Sequence, residues 1–253
     1  HLGDQPEFLP MKQGFDHYFG LPYSNDMQQK SAQTGQRVVP LVRDDKVEQL
    51  LTDDEQNCLV ERYTQEAVKF IRESKDKSFL LYLAHTAVHT PIHPGPAFVS
   101  KSANGRFGDW VEEVDWSAGR VLDTLRELKL DERTLVVFTS DNGPWLIKGP
   151  DAGTAGPLRG GKGSTWEGGV RVPALIRWPG TPGGRVSPEI VDMTDLMPTL
   201  AAAAGDNTIV EKLLTGASYN GQNYKLHLDG YNQTDLFTGK TDKSARNFEF
   251  YYD

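Results

Sequence analysis

Two short, continuously apolar runs, each opening directly into a polar loop, constrain this chain more than any other feature. Phe79-Leu80-Leu81-Tyr82-Leu83 leads into a loop holding His85, His89 and His93, and Leu135-Val136-Val137-Phe138 leads into Thr139-Ser140-Asp141-Asn142-Gly143-Pro144. Short apolar runs bounded by turn residues read as buried strands. Between them Trp110, Val111, Val114, Ala118, Val121, Leu122 and Leu125 recur at helical spacing. Strand, helix, strand in this order predicts a βαβ unit with parallel strands, and hence an α/β fold. In open α/β sheets ligands gather outside the carboxyl ends of the strands. The histidine loop and the Asp141-Asn142 turn are therefore expected at one edge of the sheet.

The remaining chain is consistent with one large domain, or one domain and part of another, at 253 residues. Residues 1–50 read as a long surface segment pinned by Phe8, Phe15, Tyr18, Phe19 and Tyr23. Thr52-Asp53-Asp54-Glu55 has the pattern of a capping box, and Leu59, Val60, Tyr63, Ala67, Phe70 and Ile71 follow at helical spacing. A strand is expected over 172–178 and a helix over 195–204, closed by Gly205. The expected division is a main domain over 1–205 and the start of a smaller region over 206–253. A net charge of -8 argues against a general nucleic-acid binder, and no apolar run is long enough to span a membrane. The single cysteine, Cys58, excludes an internal disulfide and reads as a packed or half-exposed thiol. His1 at one end and the aromatic run from Phe248 at the other, which reads as a strand, look like breaks in a longer polypeptide.

Asp141 and Asn142 offer oxygen ligands, which suit Ca²⁺ or Mg²⁺ better than zinc. Lys162 lies in the glycine-dense segment Arg159-Gly160-Gly161-Lys162-Gly163, where backbone can approach a ligand closely. A hard cation, a lysine and a histidine around one pocket would stabilise charge on a transferring sulfuryl or phosphoryl group. Each piece has a plain alternative: Asp-Asn-Gly is a favoured turn, loop lysines are usually solvated, and at most two of the three histidines need a chemical role. Ser140 and Ser164 lie in the right region for a nucleophile but have no activating context.

Phe138-Thr139-Ser140-Asp141-Asn142-Gly143-Pro144, the stretch from Leu158 to Gly180 and the stretch from Ala84 to Phe98 together resemble the sulfatase family, of the arylsulfatase A or N-acetylgalactosamine-6-sulfatase type. His1-Leu2-Gly3 looks like the end of that family's Gly-Lys-Trp-His-Leu-Gly motif. The resemblance implies an alkaline phosphatase-like α/β/α sandwich with a mainly parallel central sheet, plus the start of a smaller C-terminal α+β subdomain. It implies a sulfuric ester hydrolase acting on a small-molecule or carbohydrate sulfate ester. Asp141 and Asn142 then match calcium ligands, Lys162 the lysine on the sulfate and its bridging oxygen, and His89 the histidine near the leaving group. His1 matches a histidine contacting the catalytic aldehyde hydrate. The family's nucleophile is a formylglycine, installed by a formylglycine-generating or sulfatase-maturating enzyme in a Cys/Ser-x-Pro-x-Arg motif. That motif, its arginine, the first aspartate pair at the metal and a further lysine would all lie upstream, so this chain alone is expected to be inactive. The resemblance further implies a periplasmic, secreted or lysosomal setting, most simply the bacterial periplasm. The rival readings are a phosphodiesterase or phosphonate monoester hydrolase of the same superfamily, and a non-catalytic binder of sulfated glycans.

Overall fold

The computed structural model describes residues 4–251, and within them residues 19–52 form a sheet where the sequence reads as irregular. Two short strands, β1 (Phe19–Gly20) and β2 (Gln29–Lys30), pair antiparallel with one side of β3 (Arg37–Arg43). β4 (Lys46–Thr52) pairs antiparallel with its other side. The turn places Asp44 in left-handed backbone, φ 55°, a region Asp tolerates better than most residues. Pro40 masks this hairpin in the sequence, because proline demotes a predicted strand. It falls where β3 lacks a neighbour on one side, between its pairings with β2 and β1.

Val39, Leu41 and Leu51 point into a core that also takes Leu21, Leu59 and Tyr63. Leu59 and Tyr63 come from α1 (Leu59–Glu73), which buries Val60, Ala67 and Ile71 along the same stripe. Each buried Val, Leu or Ile among them contributes about 1.5–3 kcal/mol by burial. The Thr52 box forms in half: the Glu55 carboxylate accepts from both the backbone N–H and the hydroxyl of Thr52 at 2.7 Å. A 3₁₀ turn over Asp54–Cys58 precedes the α-helix, and Cys58, half-buried, donates to the Glu55 carbonyl.

α2 (Gly105–Glu127) packs on α1 through a face unlike the one its apolar pattern predicts. Trp110 and Leu125 are buried, but Val111 is exposed, and the rest of the buried face is Gly108, Asp109, Glu113, Ser117 and Thr124. Polar partners make this possible. Thr64 of α1 donates to Ser117 Oγ at 2.6 Å, and the Glu113 carboxylate accepts from the Gly95 backbone at 2.7 Å.

The run 79–83 carries no ladder among the described residues, contrary to the strand expected there. Exposure alternates along it instead. Phe79 meets Phe70 of α1 edge-on at 5.6 Å and Leu83 packs on the core, while Leu80 and Tyr82 are 60% and 69% exposed. A strand exists only where a second backbone pairs with it, which composition cannot specify. Every ladder formed among the described residues is antiparallel.

The chain divides into two compact units, the first comprising residues 1–131 and 145–154, the second 132–144 and 155–253. In the second, β5 (Val136–Thr139) and β6 (Ala174–Arg177) pair antiparallel, with the one-turn helix α3 (Glu167–Val170) between them in sequence. Asp192 caps the next turn in a complete capping box with Asp195, and α4 (Leu196–Ala203) follows. α4 ends at Gly205, φ 101°, where Gly205 and Asp206 donate back to Ala202 and Ala201, a Schellman closure. Then come α5 (Ile209–Thr215), the hairpin β7 (Ala217–Tyr219) and β8 (Gln222–Tyr224), and α6 (Thr234–Phe237).

The polar centre of this unit is Asp195, fully buried, whose carboxylate accepts from Arg246, the Tyr231 and Asp192 backbones and the Gln233 amide. Burial pushes its pKa up, yet Arg246 and those donors outweigh burial and hold it below the usual carboxylate range. The aromatic run from Phe248 forms no ladder within the described residues; the Phe248 and Phe250 rings meet at a tilt, centroids 5.0 Å apart.

Candidate active site

Asp141 and Asn142 sit in the turn that leaves β5, and Lys162 sits in the loop before α3, both in the second unit. The two segments are stitched by backbone. Gly143 N–H donates to the Gly169 carbonyl at 2.9 Å, and Lys162 N–H donates to the Pro144 carbonyl at 2.8 Å. The glycines are required by closeness rather than by flexibility. A Cβ on Gly143 would stand 1.8 Å from the Gly168 carbonyl oxygen, and one on Gly168 would stand 2.3 Å from that of Gly160. Gly168 N–H closes the same loop onto the Arg159 carbonyl at 2.7 Å.

The oxygen donors of the Asp141-Asn142 turn remain available. The Asp141 carboxylate is exposed and takes no hydrogen bond or ion pair from the described residues. Asn142 spends its amide N–H on the Gly143 carbonyl at 2.9 Å, which leaves Oδ1 as an acceptor. These are two hard oxygen donors, the chemistry a Ca²⁺ or Mg²⁺ ion takes, and a fraction of the six to eight oxygens Ca²⁺ gathers. No cluster of three or more His, Cys, Asp or Glu side chains suited to a metal occurs among the described residues. Ser140 donates to the Asn142 carbonyl at 3.2 Å and Ser164 to the Gly161 carbonyl at 2.8 Å. Both hydroxyls therefore brace their loops, and no base activates either among the described residues.

The histidine loop belongs to the first unit, and its three histidines separate cleanly. His85 lies 3.1 Å from Ser117 Oγ and tilts against Tyr63; burial pushes its pKa down to about 4. His93 is buried edge-on to Trp110, 3.4 Å from Asp53. Burial lowers its pKa more than Asp53 raises it. Both are packing residues. His89 is half-buried against Trp145, ring centroids 5.6 Å apart, and Trp145 carries Lys148 over its ring at 4.1 Å. His89 Nδ1 approaches the Thr90 carbonyl at 2.8 Å and Ser24 Oγ at 3.4 Å. A carbonyl only accepts, so Nδ1 carries the proton and Nε2 is left for a ligand.

The structure thus brings Asp141, Asn142 and Lys162 together and places His89 in the other unit. His1 lies outside the described residues. Ser24 and Asn25 at the His89 loop are absent from the sequence reading; the signal that could have flagged them is a polar triplet, Ser24-Asn25-Asp26, closing an aromatic segment.

The sequence matches the sulfatase family over residues 3–206. It is 39% identical to the N-acetylgalactosamine-6-sulfatase of Canis lupus familiaris over 81% of this chain and 41% of that protein. It is 36% identical to arylsulfatase A of Homo sapiens over the whole of this chain and 50% of that protein. The chain therefore spans about half the length of the curated relatives it matches. Among solved structures, the PsFucS1 sulfatase from Pseudoalteromonas sp. superposes with a TM-score of 0.84 at 28% identity, covering 97% of this chain and 52% of that one. The structure of Ps i-CgsB with k-i-k-neocarrahexaose gives 0.70 at 32% identity, covering 94% of this chain and 53% of that one. The fold is accordingly the alkaline phosphatase-like α/β fold these proteins share. With a family match across most of its length and relatives well above 30% identity, the chain belongs to the sulfatase family.

Proposed function

We propose that this chain supplies the metal-edge and leaving-group side of a sulfuric ester hydrolase. The observation that carries the reading is the double backbone stitch, Gly143 to Gly169 and Pro144 to Lys162, which fixes a lysine beside a turn of two oxygen donors. In this reading Asp141 and Asn142 hold part of the shell of a Ca²⁺ ion, with Mg²⁺ the alternative, and the ion offsets the charge of a bound sulfate. Lys162 binds a sulfate oxygen and gains strength as charge builds on the bridging oxygen. His89, with Nδ1 tied to the loop and Nε2 free, donates to the departing oxygen when protonated. His1 is assigned, by its motif match alone, to the side of the nucleophile. The nucleophile, a formylglycine made by a maturating enzyme in a preceding stretch of a longer polypeptide, would supply the oxygen that attacks sulfur. The names of the relatives, N-acetylgalactosamine-6-sulfatase foremost, make a sulfated saccharide the first substrate to test, and a periplasmic, secreted or lysosomal compartment is the matching setting. Residues 206–253 are proposed as the start of a smaller subdomain.

The test is hydrolysis of matched sulfate and phosphate esters by the full-length polypeptide, with bound metal measured by elemental analysis. Sulfate release that exceeds phosphate release, and loss of Ca²⁺ on Asp141→Ala, are expected. Preference for the phosphate ester would favour a phosphoesterase, and unchanged metal content in Asp141→Ala would remove the ligand assignment.

A further inference from the structure

The most informative buried group outside the residues already assigned is Asn25. It follows Ser24 in the first unit and is 1% exposed, yet it reaches a loop more than sixty positions away in sequence. Its Nδ2 lies 3.3 Å from the His89 carbonyl and 3.2 Å from the Pro91 carbonyl. Both partners can only accept, so the amide must turn its N–H₂ toward them; the reverse orientation would set three oxygens against one another. The Asn25 Oδ1 is left buried with no partner among the described residues. An amide held so that one end is fully used and the other orphaned is fixed by the two carbonyls, not by its own needs.

The two acceptors bracket Thr90, whose carbonyl receives Nδ1 of His89 at 2.8 Å. The chain of restraint therefore runs from Asn25 to the peptide groups on either side of Thr90, from the Thr90 carbonyl to the imidazole, and so to the direction of Nε2. Further anchors secure the loop beyond this point, Arg106 on the Ile92 carbonyl and Glu113 on the Gly95 N–H, but neither touches residues 89–91. Among the described residues the His89 N–H is held by the Thr86 carbonyl at 3.0 Å, and the His89 carbonyl is held by Asn25.

We propose that Asn25 is a positioning residue for sulfate ester cleavage, acting through His89 by fixing the backbone that sets its tautomer and the aim of Nε2. The inference rests on the reading that His89 serves the leaving oxygen. A group positioned through another should share that group's kinetic signature at reduced amplitude. Misplacement by about 1 Å can cost on the order of a hundredfold.

The experiment measures kcat and KM for the full-length polypeptide, Asn25→Leu, Asn25→His and His89→Ala across sulfate esters of graded leaving-group pKa. Asn25→Leu keeps the branched shape and removes the donor; Asn25→His restores one ring N–H. Asn25→Leu is expected to lose roughly ten- to a hundredfold in kcat on sugar-like esters and less than about threefold on nitrophenyl-type esters, with KM nearly unchanged. Asn25→His should recover most of that loss. If His89→Ala shows the leaving-group trend while Asn25→Leu loses one factor on every ester, or Asn25→His recovers nothing, the positioning role is wrong and the His89 reading stands. A flat loss for His89→Ala would instead remove the His89 reading. In that case, or if Asn25→Leu does not fold, modification by diethyl pyrocarbonate decides. Peptide mapping should show His89 reactivity changed at least about threefold in Asn25→Leu, or in Asn25→Ser if that is the variant that folds, against the exposed His17 and His227. Unchanged His89 reactivity overturns the inference.

Discussion

Glu113 and His85 lie in the first unit with pKa values displaced in opposite senses, and their opposition predicts a stability profile that single substitutions unmask. Burial pushes Glu113 up to about 7, the Gly95 N–H pulling the other way and Glu61 adding a smaller rise. Burial pushes His85 down to about 4. Between pH 4.5 and 7 the native state keeps a proton on Glu113 that the unfolded chain has released, so the unfolding free energy falls as pH rises. Between pH 4 and 6.5 the unfolded chain carries a proton on His85 that the native state refuses, so the unfolding free energy climbs with pH. Each displacement is about two and a half units at about 1.4 kcal/mol per unit, or roughly 3 kcal/mol apiece. From pH 4.5 to 6.5 the two slopes offset each other. Glu113→Gln should gain about 3 kcal/mol relative to the parent at pH 7.5 compared with pH 4.5, and His85→Asn should shift by about as much the other way. Urea unfolding followed by circular dichroism at the two pH values measures both. Equal stability differences at pH 4.5 and 7.5 for either variant would show that its group is not held in the displaced state, and that the polar face of α2 is solvated.

Three further outcomes bear on the site. Lys162→Ala should raise KM and lower kcat together, because the lysine is proposed to hold the sulfate before and during bond cleavage; a pure KM effect in steady-state assays would restrict it to binding. Gly143→Ala should destabilise by about 3 kcal/mol or more in thermal or urea unfolding, since the intruding methyl meets immovable backbone. Gly183→Ala, with nothing within 4 Å of the new Cβ, serves as the unaffected comparison. The 253-residue chain assayed alone should give no sulfate release, as it contains no Cys/Ser-x-Pro-x-Arg motif; measurable turnover would show that the nucleophile lies within it.

The legible parts of this protein are those whose cause is local. The strand expected over 135–138 appears as β5 one residue later, 172–178 contains β6, and the helix over 195–204 appears with Gly205 closing it. The adjoining loops that carry Asp141, Asn142 and Lys162 are legible because post-strand turns and glycine density are written in consecutive residues. What escaped depends on partners distant in sequence. Val111 looks like a core position and is exposed, while Glu113 and Ser117 look like surface and are buried, because Gly95 and Thr64 supply hydrogen bonds that periodicity cannot register. Residues 79–83 read as a strand from composition, yet pairing requires a neighbour that composition does not name. Asn25 is one polar residue among many until the 89–91 carbonyls are seen above it.

The two cross-links between the Asp141 turn and the Lys162 loop are made by peptide groups, in room left by missing Cβ atoms. They join the loops without using the Asp141 carboxylate. Exchange at 141 leaves both cross-links in place, whereas exchange at 142 also removes the amide N–H on the Gly143 carbonyl, so a loss of metal in Asp141→Ala can be credited to the carboxylate and not to collapse. The glycines at 143, 168 and 169 have the opposite character, closed to exchange whatever the reaction. On the proposed reading, such a division lets a lineage vary the metal-facing group while the holder is inherited unchanged.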